Sequence, residues 1–351
     1  MRRRRRCLPA LPTAYPAELA SSAPLRILQH CHTWTDPPGH GERMNTEDED
    51  SPQAWEWTGP IHDRDPVLHQ AAYLGDLNKI KEVLAVGGST DSEELGTIDA
   101  KNRLGCTPLR LAATGGHSPC VKYLIDCGAD VNLSDVKAQT PLYVAIKTKH
   151  LNCAKILLAA GANPNGDERC LCTPLYIASM DGFVEGVREL VRYGADLDTS
   201  QIRVGSFIST PLYITIAYQH LDCFKTLLQA GADPDYGCDP VIAKKRHLPN
   251  CQSLFHYVVR KSSCKWQFAA LLREFGANMW LTDDKGKMAF ELNDIAPSEC
   301  KQYIQEVIGC PLALTHLCRV RLRHHLGRSK LVLVPQLPLP QKMIAFLEHN
   351  E

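Results

Sequence analysis

The side chains of this sequence that are best suited to chemistry are its 15 cysteines and 14 histidines. Clusters of such residues at short spacing could hold a zinc ion. No pair of Cys-x-x-Cys motifs occurs, however, and Cys170-Leu-Cys172 stands alone. The phosphate-binding P-loop, the zinc-binding His-Glu-x-x-His motif and the Gly-x-Ser-x-Gly motif of serine hydrolases are also missing from the sequence. We therefore predict a protein that is not an enzyme and that uses no metal and no cofactor.

The elements that position these cysteines and histidines come from a repeated segment. The segment QTPLYVAIKTKHLNCAKILLAAGANPN, residues 139–165, is the clearest copy. Thr-Pro-Leu begins at Thr107, Thr140, Thr173 and Thr210, in steps of 33, 33 and 37 residues. A closing Gly-Ala-Asp or Gly-Ala-Asn triplet begins at Gly128, Gly161, Gly194, Gly231 and Gly276. A fixed period of this size predicts a solenoid of stacked units.

Each unit predicts two short helices. Thr140 can cap the first helix with its hydroxyl group, and Pro141 suits the first helical position because its missing N–H is not needed there. The second helix presents apolar residues three and four positions apart, namely Leu151, Ala154, Leu157 and Leu158. Gly161 can end that helix in the left-handed conformation. Neither helix can bury its apolar face alone, so neighbouring units must stack.

These motifs resemble the ankyrin repeat, whose pattern is Thr-Pro-Leu-His with a closing Gly-Ala-Asp or Gly-Ala-Asn. The resemblance implies an all-α ankyrin solenoid of about six helix-turn-helix units. We count an irregular first unit from Asp65, four clear units, a degenerate unit ending at Gly276 and a weaker half-unit at residues 283–292. The predicted domains are a disordered tail at residues 1–62, Arg- and Pro-rich and then acidic, the repeat array at 63–296 and a C-terminal domain at 297–351.

The cysteines and histidines follow the same period. His117, His150 and His220 precede the second helix of their units, which indicates capping or packing and not a site. Because a reduced thiol acts as a small buried apolar group, we assign this role to the cysteines in predicted repeat helices, including Cys120, Cys127, Cys153 and Cys223. This pattern predicts a reduced, intracellular protein, with the cytoplasm as its location and the nucleus as the alternative.

The C-terminal sequence has no repeat pattern. A helix is predicted there with an apolar ridge formed by Leu314, Leu317, Cys318, Val320 or Arg321, and Leu322. Its arginines, Arg319, Arg321 and Arg323, are spread around the helix, and we interpret them as a solvated face and not as a nucleic-acid patch. Gly327 ends the helix, residues 334–340 are predicted to be extended because of their prolines, and a short final helix contains Ile344, Phe346 and Leu347.

This region resembles the SOCS box (suppressor-of-cytokine-signalling box) that follows the repeats in the ankyrin repeat and SOCS box family. The family's elongin-binding motif corresponds to Ala313, Leu314, Cys318 and Leu322, with Leu317 on the same ridge. Its cullin-binding motif corresponds to Leu337, Pro338, Leu339 and Pro340. The resemblance implies a substrate receptor that binds elongin C with elongin B, and cullin-five with its RING-box protein, so that an unknown substrate protein is ubiquitinated and degraded by the proteasome.

A second interpretation of the same ridge remains open. The helix could cover the last repeat and bury Leu314 and Cys318 within the chain, which would leave an ankyrin scaffold or adaptor with a box that is non-functional or purely structural. The two interpretations differ in whether Leu314 and Cys318 are available to a partner groove.

The substrate surface is predicted only by position. Tyr143, Tyr176 and Tyr213 replace the family's histidine in three units and could form a recognition stripe, since tyrosine is frequent in interfaces. Alternatively, they pack between units with satisfied hydroxyl groups. Loop tips are further candidates, namely Lys137 with Ala138, residues 169–171 with Arg169 at their start, and the excursion at residues 201–207.

Charge and hydropathy limit the other partners. The 39 basic and 39 acidic residues balance, so we predict no nucleic-acid partner, and no apolar run is long enough to predict a membrane helix. Lys244, Lys245 and Arg246 are interpreted as a solvent-facing loop. The basic tail opening MRRRRRC could be a mitochondrial or other address signal, but its prolines favour a tail without a targeting role. Translation from Met44 would remove it.

Overall fold

The computed structural model describes residues 65–86, 97–170, 172–198, 203–204, 207–238, 252–261, 263–283, 285–292, 299–310, 312–331 and 333–349. The predicted all-α ankyrin solenoid with a helical C-terminal box is confirmed for this part of the chain, which contains six consecutive helix pairs and one hairpin of two-residue strands. The tail, the second start at Met44 and the loop of Lys244, Lys245 and Arg246 lie outside the described residues. The helix pairs are α1 (Val67–Leu74) and α2 (Leu77–Val86), α3 (Pro108–Thr114) and α4 (Ser118–Asp126), α5 (Pro141–Lys147) and α6 (Leu151–Ala159), α7 (Pro174–Met180) and α8 (Val184–Arg192), α9 (Pro211–Ala217) and α10 (Leu221–Gln229), and α11 (Leu254–Arg260) and α12 (Trp266–Glu274).

The Thr-Pro-Leu motif starts four of the first helices in the predicted way. The hydroxyl oxygens of Thr107, Thr140, Thr173 and Thr210 each accept a hydrogen bond of 3.2 Å from the backbone N–H three residues later. The proline that follows is the first helical residue in each case. Beyond the second helices, Gly128 and Gly161 have φ angles of 94° and 89°, which glycine adopts without strain. The capping residues therefore fix the unit boundaries.

The units stack as their apolar faces require. First helices contact first helices in the order α1, α3, α5, α7 and α9, and second helices contact second helices from α2 to α12. Leu142, Leu157 and Leu175 are fully buried between them. The core is therefore one continuous layer along the array, as expected for repeats that cannot fold singly.

The periodic histidines link neighbouring units. His117 Nε2 lies 2.9 Å from the carbonyl oxygen of Tyr73, and His220 Nε2 lies 3.0 Å from that of Met180. Neither side chain caps its own helix, so the packing alternative is correct and the capping alternative is wrong. Among the cysteines, Cys120, Cys153 and Cys223 are buried as predicted, but Cys127 is exposed because it lies just beyond the last turn of α4.

The end of the array is less regular. Strands β1 (Arg203–Val204) and β2 (Phe207–Ile208) form an antiparallel hairpin before α9. The predicted half-unit at residues 283–292 contains a 3-10 helix (Ala289–Glu291), and helix α13 (Glu299–Val307) packs against α12 and against this 3-10 helix. The boundary at residue 297 remains a prediction, and these contacts lead us to propose that the array extends through α13.

The C-terminal segment, residues 312–349, is called the box below. It consists of α14 (Leu314–Leu326), α15 (Arg328–Leu331), a 3-10 helix (Val334–Gln336) and α16 (Gln341–Glu348). The prediction that residues 334–340 are extended is wrong for Val334–Gln336, where Pro335 lies inside the 3-10 turn. A small core holds these pieces together and is formed by Leu331, Val334, Ile344 and Leu347, with Leu326, Leu337, Leu339 and Phe346 at its edge.

Candidate elongin- and substrate-binding surfaces

Helix α14 exposes its apolar ridge. Leu314 is 75% exposed, and Leu317 and Leu322 are each 48% exposed. Cys318, between them, is also exposed, and so is Ala313 at the helix start. Large apolar side chains at three- and four-residue spacing on one exposed helix face are typical of a helix that enters a partner's groove. The four residues of the predicted elongin motif and Leu317 are therefore accessible, whereas Val320 of the same ridge lies against Gly276 of the last repeat.

The opposite face of α14 carries the residues that the box buries against the array. Arg319 and Arg323 are only 3% and 8% exposed. The prediction of a solvated arginine face is therefore wrong for these two residues, although Arg321 is exposed. Arg319 and Arg323 are four positions apart and therefore lie on the same side of the helix. This spacing is visible in the sequence and could have indicated that the two arginines act together.

Arg319 lies in a polar and aromatic pocket. Its Nη1 atom is 3.4 Å from Glu274 Oε1 at the end of α12 and 3.0 Å from His349 Nδ1. Its guanidinium group lies 4.3 Å from the centre of the Phe346 ring, within cation–π range. Burial lowers the pKa of His349, although the adjacent Glu274 carboxylate acts in the opposite direction. The His349 hydrogen bond in turn lowers the pKa of Glu274.

Arg323 binds backbone carbonyls. It donates hydrogen bonds of 3.1 and 2.5 Å to the carbonyl oxygens of Leu228 and Gln229 and one of 2.5 Å to that of Leu347. The first two carbonyls belong to the last turn of α10, where helix oxygens lack a partner within the helix and carry partial negative charge. Burial lowers the pKa of Arg323 to about 10, so this side chain remains charged at neutral pH.

Arg328 makes a third contact with the array. It donates to the carboxylate of Asp198, a buried side chain that also accepts a hydrogen bond from the backbone N–H of Asp233. Burial raises the pKa of Asp198 to about 6, and the positive charge of Arg328 partly opposes that rise. Three arginines therefore join the box to the array, together with the His349 ring stacked on Phe275 at 3.8 Å and a hydrogen bond from Gln229 to the Glu348 carbonyl oxygen. Sequence reasoning did not anticipate this role for the arginines.

The predicted cullin motif lies on the surface of the box core. Leu337 and Leu339 are half-buried against that core, whereas Pro338 and Pro340 are exposed. Pro340 directly precedes α16. The four residues thus form a short segment that is fixed by its leucines and presents its prolines to solvent.

The three tyrosines do not form a recognition stripe. Tyr143, Tyr176 and Tyr213 are only 2%, 4% and 4% exposed. The hydroxyl group of Tyr176 lies 2.8 Å from Ser209 Oγ in the next unit, and the Tyr213 ring lies 4.5 Å from that of Tyr257. The structure contradicts the interpretation of these tyrosines as substrate contacts because buried rings cannot touch a substrate. Tyr176 and Tyr213 thus link neighbouring units from the position of the family's histidine.

Of the predicted loop-tip residues, Lys137 and Arg169 are exposed, whereas Ala138 is buried. Lys137 follows Val136, an apolar side chain that is 72% exposed and that was not singled out from the sequence. Arg169 pairs with Asp167 at 2.7 Å, and Asp167 also accepts a hydrogen bond of 2.6 Å from Ser134 in the preceding loop. Hydrogen bonds from Arg169 and Ser134 lower the pKa of Asp167. The loops at these two tips are thus ordered by contacts with each other, while the excursion at residues 201–207 is only partly described.

Within the described residues, no group of His, Cys, Asp and Glu could hold a metal ion, and none of the 12 cysteines there is part of a disulfide. No helix in the described part of the chain has both the length and the apolar content to cross a membrane.

Comparison with known proteins matches both parts of the chain. A family model of ankyrin repeats in three copies matches residues 68–168 and 164–237, and a SOCS box model matches residues 310–348. Ankyrin repeat and SOCS box protein 1 of Mus musculus is 43% identical over 299 residues, which cover 82% of this chain and 89% of that protein. Ankyrin repeat and SOCS box protein 12 of Mus musculus is 43% identical over 259 residues, covering 70% and 79%. The crystal structure of the human ASB11 ankyrin repeat domain matches with a TM-score of 0.53 and 28% identity, covering 70% of this chain and 99% of that one.

Proposed function

Because the chain belongs to the ankyrin repeat and SOCS box family, and its SOCS box implies the role of a substrate receptor of a cullin-RING ubiquitin ligase, we propose that it recruits elongin C with elongin B, and cullin-five with its RING-box protein. The array binds a substrate protein, which the assembled ligase ubiquitinates for degradation by the proteasome. The chain itself performs no bond chemistry in this scheme. It acts inside the cell, in the cytoplasm.

The observation that carries this proposal is the exposed ridge of α14. Ala313, Leu314, Leu317, Cys318 and Leu322 bind elongin C, with Leu314 and Cys318 one turn apart at the centre of the contact. Burying one leucine side chain contributes about 1.5–3 kcal/mol. Three leucines at 48–75% exposure therefore give a driving force that the chain does not use within its own fold.

The cullin contact is proposed at Leu337, Pro338, Leu339 and Pro340. Support comes from the half-buried leucines, which fix the segment, and from the exposed prolines, which are available to a partner. A pre-ordered proline segment loses little conformational entropy when it binds.

The substrate contact is proposed at the loop tips that include Lys137 and Arg169. Both side chains are exposed, and the loops that carry them are linked by the Ser134–Asp167 hydrogen bond. Loops held on a rigid scaffold suit protein recognition.

Co-expression with elongins B and C followed by size-exclusion chromatography tests the proposal. We expect the full chain to elute as a stoichiometric complex with both elongins, and a Leu314→Pro/Cys318→Phe variant to elute without them. Leu314 is the first residue of α14, where proline is tolerated, so the variant keeps the helix and changes the two residues at the centre of the proposed contact. A wild-type chain that is stable and does not bind the elongins would overturn the proposal in favour of an ankyrin scaffold with a structural box.

A further inference from the structure

We propose that Arg319, Arg323 and Arg328 are positioning residues that fix the angle between the array and the box. This inference rests on the proposed function, because the box would carry the ligase and the array the substrate. A fixed angle would then set where the substrate lies relative to the ubiquitin-charged enzyme. Neither the elongin surface nor the loop tips contain these three arginines.

The three arginines reach three different units of the array. Arg328 pairs with Asp198 after α8, Arg323 binds carbonyls at the end of α10, and Arg319 contacts Glu274 at the end of α12. A single contact would let the box pivot about one point. Because the three contacts lie on three successive units along the array, each one opposes rotation of the box about the other two.

The chemistry of the central contact suits this role. One guanidinium group, that of Arg323, binds two carbonyls of α10 in the array and the Leu347 carbonyl of α16 in the box. Its planar fork of N–H groups has a fixed geometry, which a lysine ammonium group cannot reproduce. Because the Arg323 side chain is buried, its hydrogen bonds are protected from competition with water.

Close backbone contacts lie beside the arginines. A Cβ atom added to Gly231 would lie 2.8 Å from Leu331 Cδ1, and one added to Gly276 would lie 2.7 Å from Val320 Cγ1. The corresponding closing glycines of the earlier units, Gly128, Gly161 and Gly194, have nothing within 4 Å of such an atom. The array backbone therefore approaches the box closely at two points beside the arginines.

The test measures the angle in the full chain without elongins. We would replace Lys122 on α4 and Lys342 on α16, both exposed, by p-azidophenylalanine and attach a donor and an acceptor dye for single-molecule energy transfer. The variants are Arg323→Met, which keeps an apolar stem, and Arg328→Gln, which loses one exposed charge. Lys330→Gln is the matched control because Lys330 is exposed and lies in the same short helix as Arg328.

We expect one narrow transfer distribution for the wild type and for Lys330→Gln. The distribution should broaden about twofold or more in Arg323→Met, and less in Arg328→Gln, as for an interdomain contact that has become mobile. Unchanged distributions in both variants would overturn the inference. Thermal unfolding of the array, measured in parallel, shows whether each variant is folded, and Arg328→Gln decides the question if Arg323→Met does not fold. The energy-transfer measurement contains no elongin. A negative result for the arginines can therefore be distinguished from a negative result for elongin binding, which would contradict the proposed function.

Discussion

Helices α10 and α14 use their faces in opposite ways. In α10, which belongs to the array, the buried residues are Cys223, Phe224, Leu227 and Leu228. In α14, which belongs to the box, the buried residues are Arg319 and Arg323, while Leu314, Leu317 and Leu322 face solvent. Both helices are amphipathic, and in each the apolar face marks the side of the helix that needs a partner, whether or not that partner belongs to the same chain.

The surface that each helix meets explains the difference. Helix α10 packs against α8 and α12, whose facing side chains are apolar. Helix α14 meets helix ends, where the carbonyls of Leu228 and Gln229 and the carboxylate of Glu274 accept hydrogen bonds. Arginine satisfies such acceptors, and its apolar stem packs alongside. Leu314, Leu317 and Leu322 therefore remain exposed.

The largest effect should come from placing a charge on the exposed ridge. We expect Cys318→Asp to abolish elongin binding, because a bound complex would bury an unpaired carboxylate at a penalty of about 3 kcal/mol or more. Stability of the chain alone should not change, since Cys318 is exposed. Co-purification with tagged elongin C measures the loss. The control variant Lys330→Asp, which places a new carboxylate on an exposed residue of α15, should bind elongin C normally. An equal loss of elongin binding in both variants would count against the ridge of α14 as the specific contact.

The same leucine-to-alanine change should act differently in the two regions. Leu175→Ala, at a fully buried site in α7, should lower the free energy of unfolding by about 2–5 kcal/mol and leave elongin affinity unchanged. Leu314→Ala should alter stability by less than about 0.5 kcal/mol but weaken elongin binding by about 2 kcal/mol, roughly thirtyfold. Urea unfolding and titration calorimetry measure the two quantities. A large loss of stability in Leu314→Ala would show that the ridge is used within the chain.

The burial of Asp198 should make stability depend on pH. Burial raises the pKa of Asp198 from 3.8 to about 6, so the folded chain holds this proton more tightly than the unfolded chain does. The stability that this proton contributes is complete below the unfolded pKa and is lost as pH rises through about 6.

The variant Asp198→Asn isolates this effect, because asparagine can still accept the hydrogen bond from Asp233 and does not titrate. Between pH 4.5 and 7.5, we expect the wild type to lose on the order of 2 kcal/mol relative to the variant in urea unfolding. Parallel pH profiles for the two proteins would mean that Asp198 is not responsible.

The smallest effect should come from a link between two units of the array. Tyr176→Phe removes a buried hydrogen bond to Ser209 and should lower the free energy of unfolding by about 1 kcal/mol. We expect no change in substrate capture by the array, because Tyr176 is buried. Chemical unfolding measures the first expectation. A Tyr176→Phe chain that unfolds like the wild type but no longer captures substrate would restore the recognition-stripe interpretation.

The sequence was sufficient for the array because its signals are local. Thr140 and Pro141 start a helix and Gly161 closes the unit through backbone chemistry within a few residues. The apolar ridge of α14 could likewise be read from its spacing. The burial of Arg319 and Arg323 could not be predicted from the sequence, because their partners lie about 45 and 95 residues earlier in the chain. The prediction of a tyrosine recognition stripe was wrong for a similar reason. Only the stacking of units decides whether the residue after Thr-Pro-Leu faces solvent or the next unit.

The most direct test of the exposed ridge is photo-crosslinking from α14. A p-benzoylphenylalanine residue at Thr315, exposed and adjacent to Leu314, would be compared with one at Lys330, exposed on α15, in the full chain mixed with elongins B and C. We expect position 315 to crosslink to elongin C and position 330 to give no such product. Crosslinks from position 315 only within the chain, or equal crosslinks from both positions, would contradict the assignment of α14 as the elongin-binding helix.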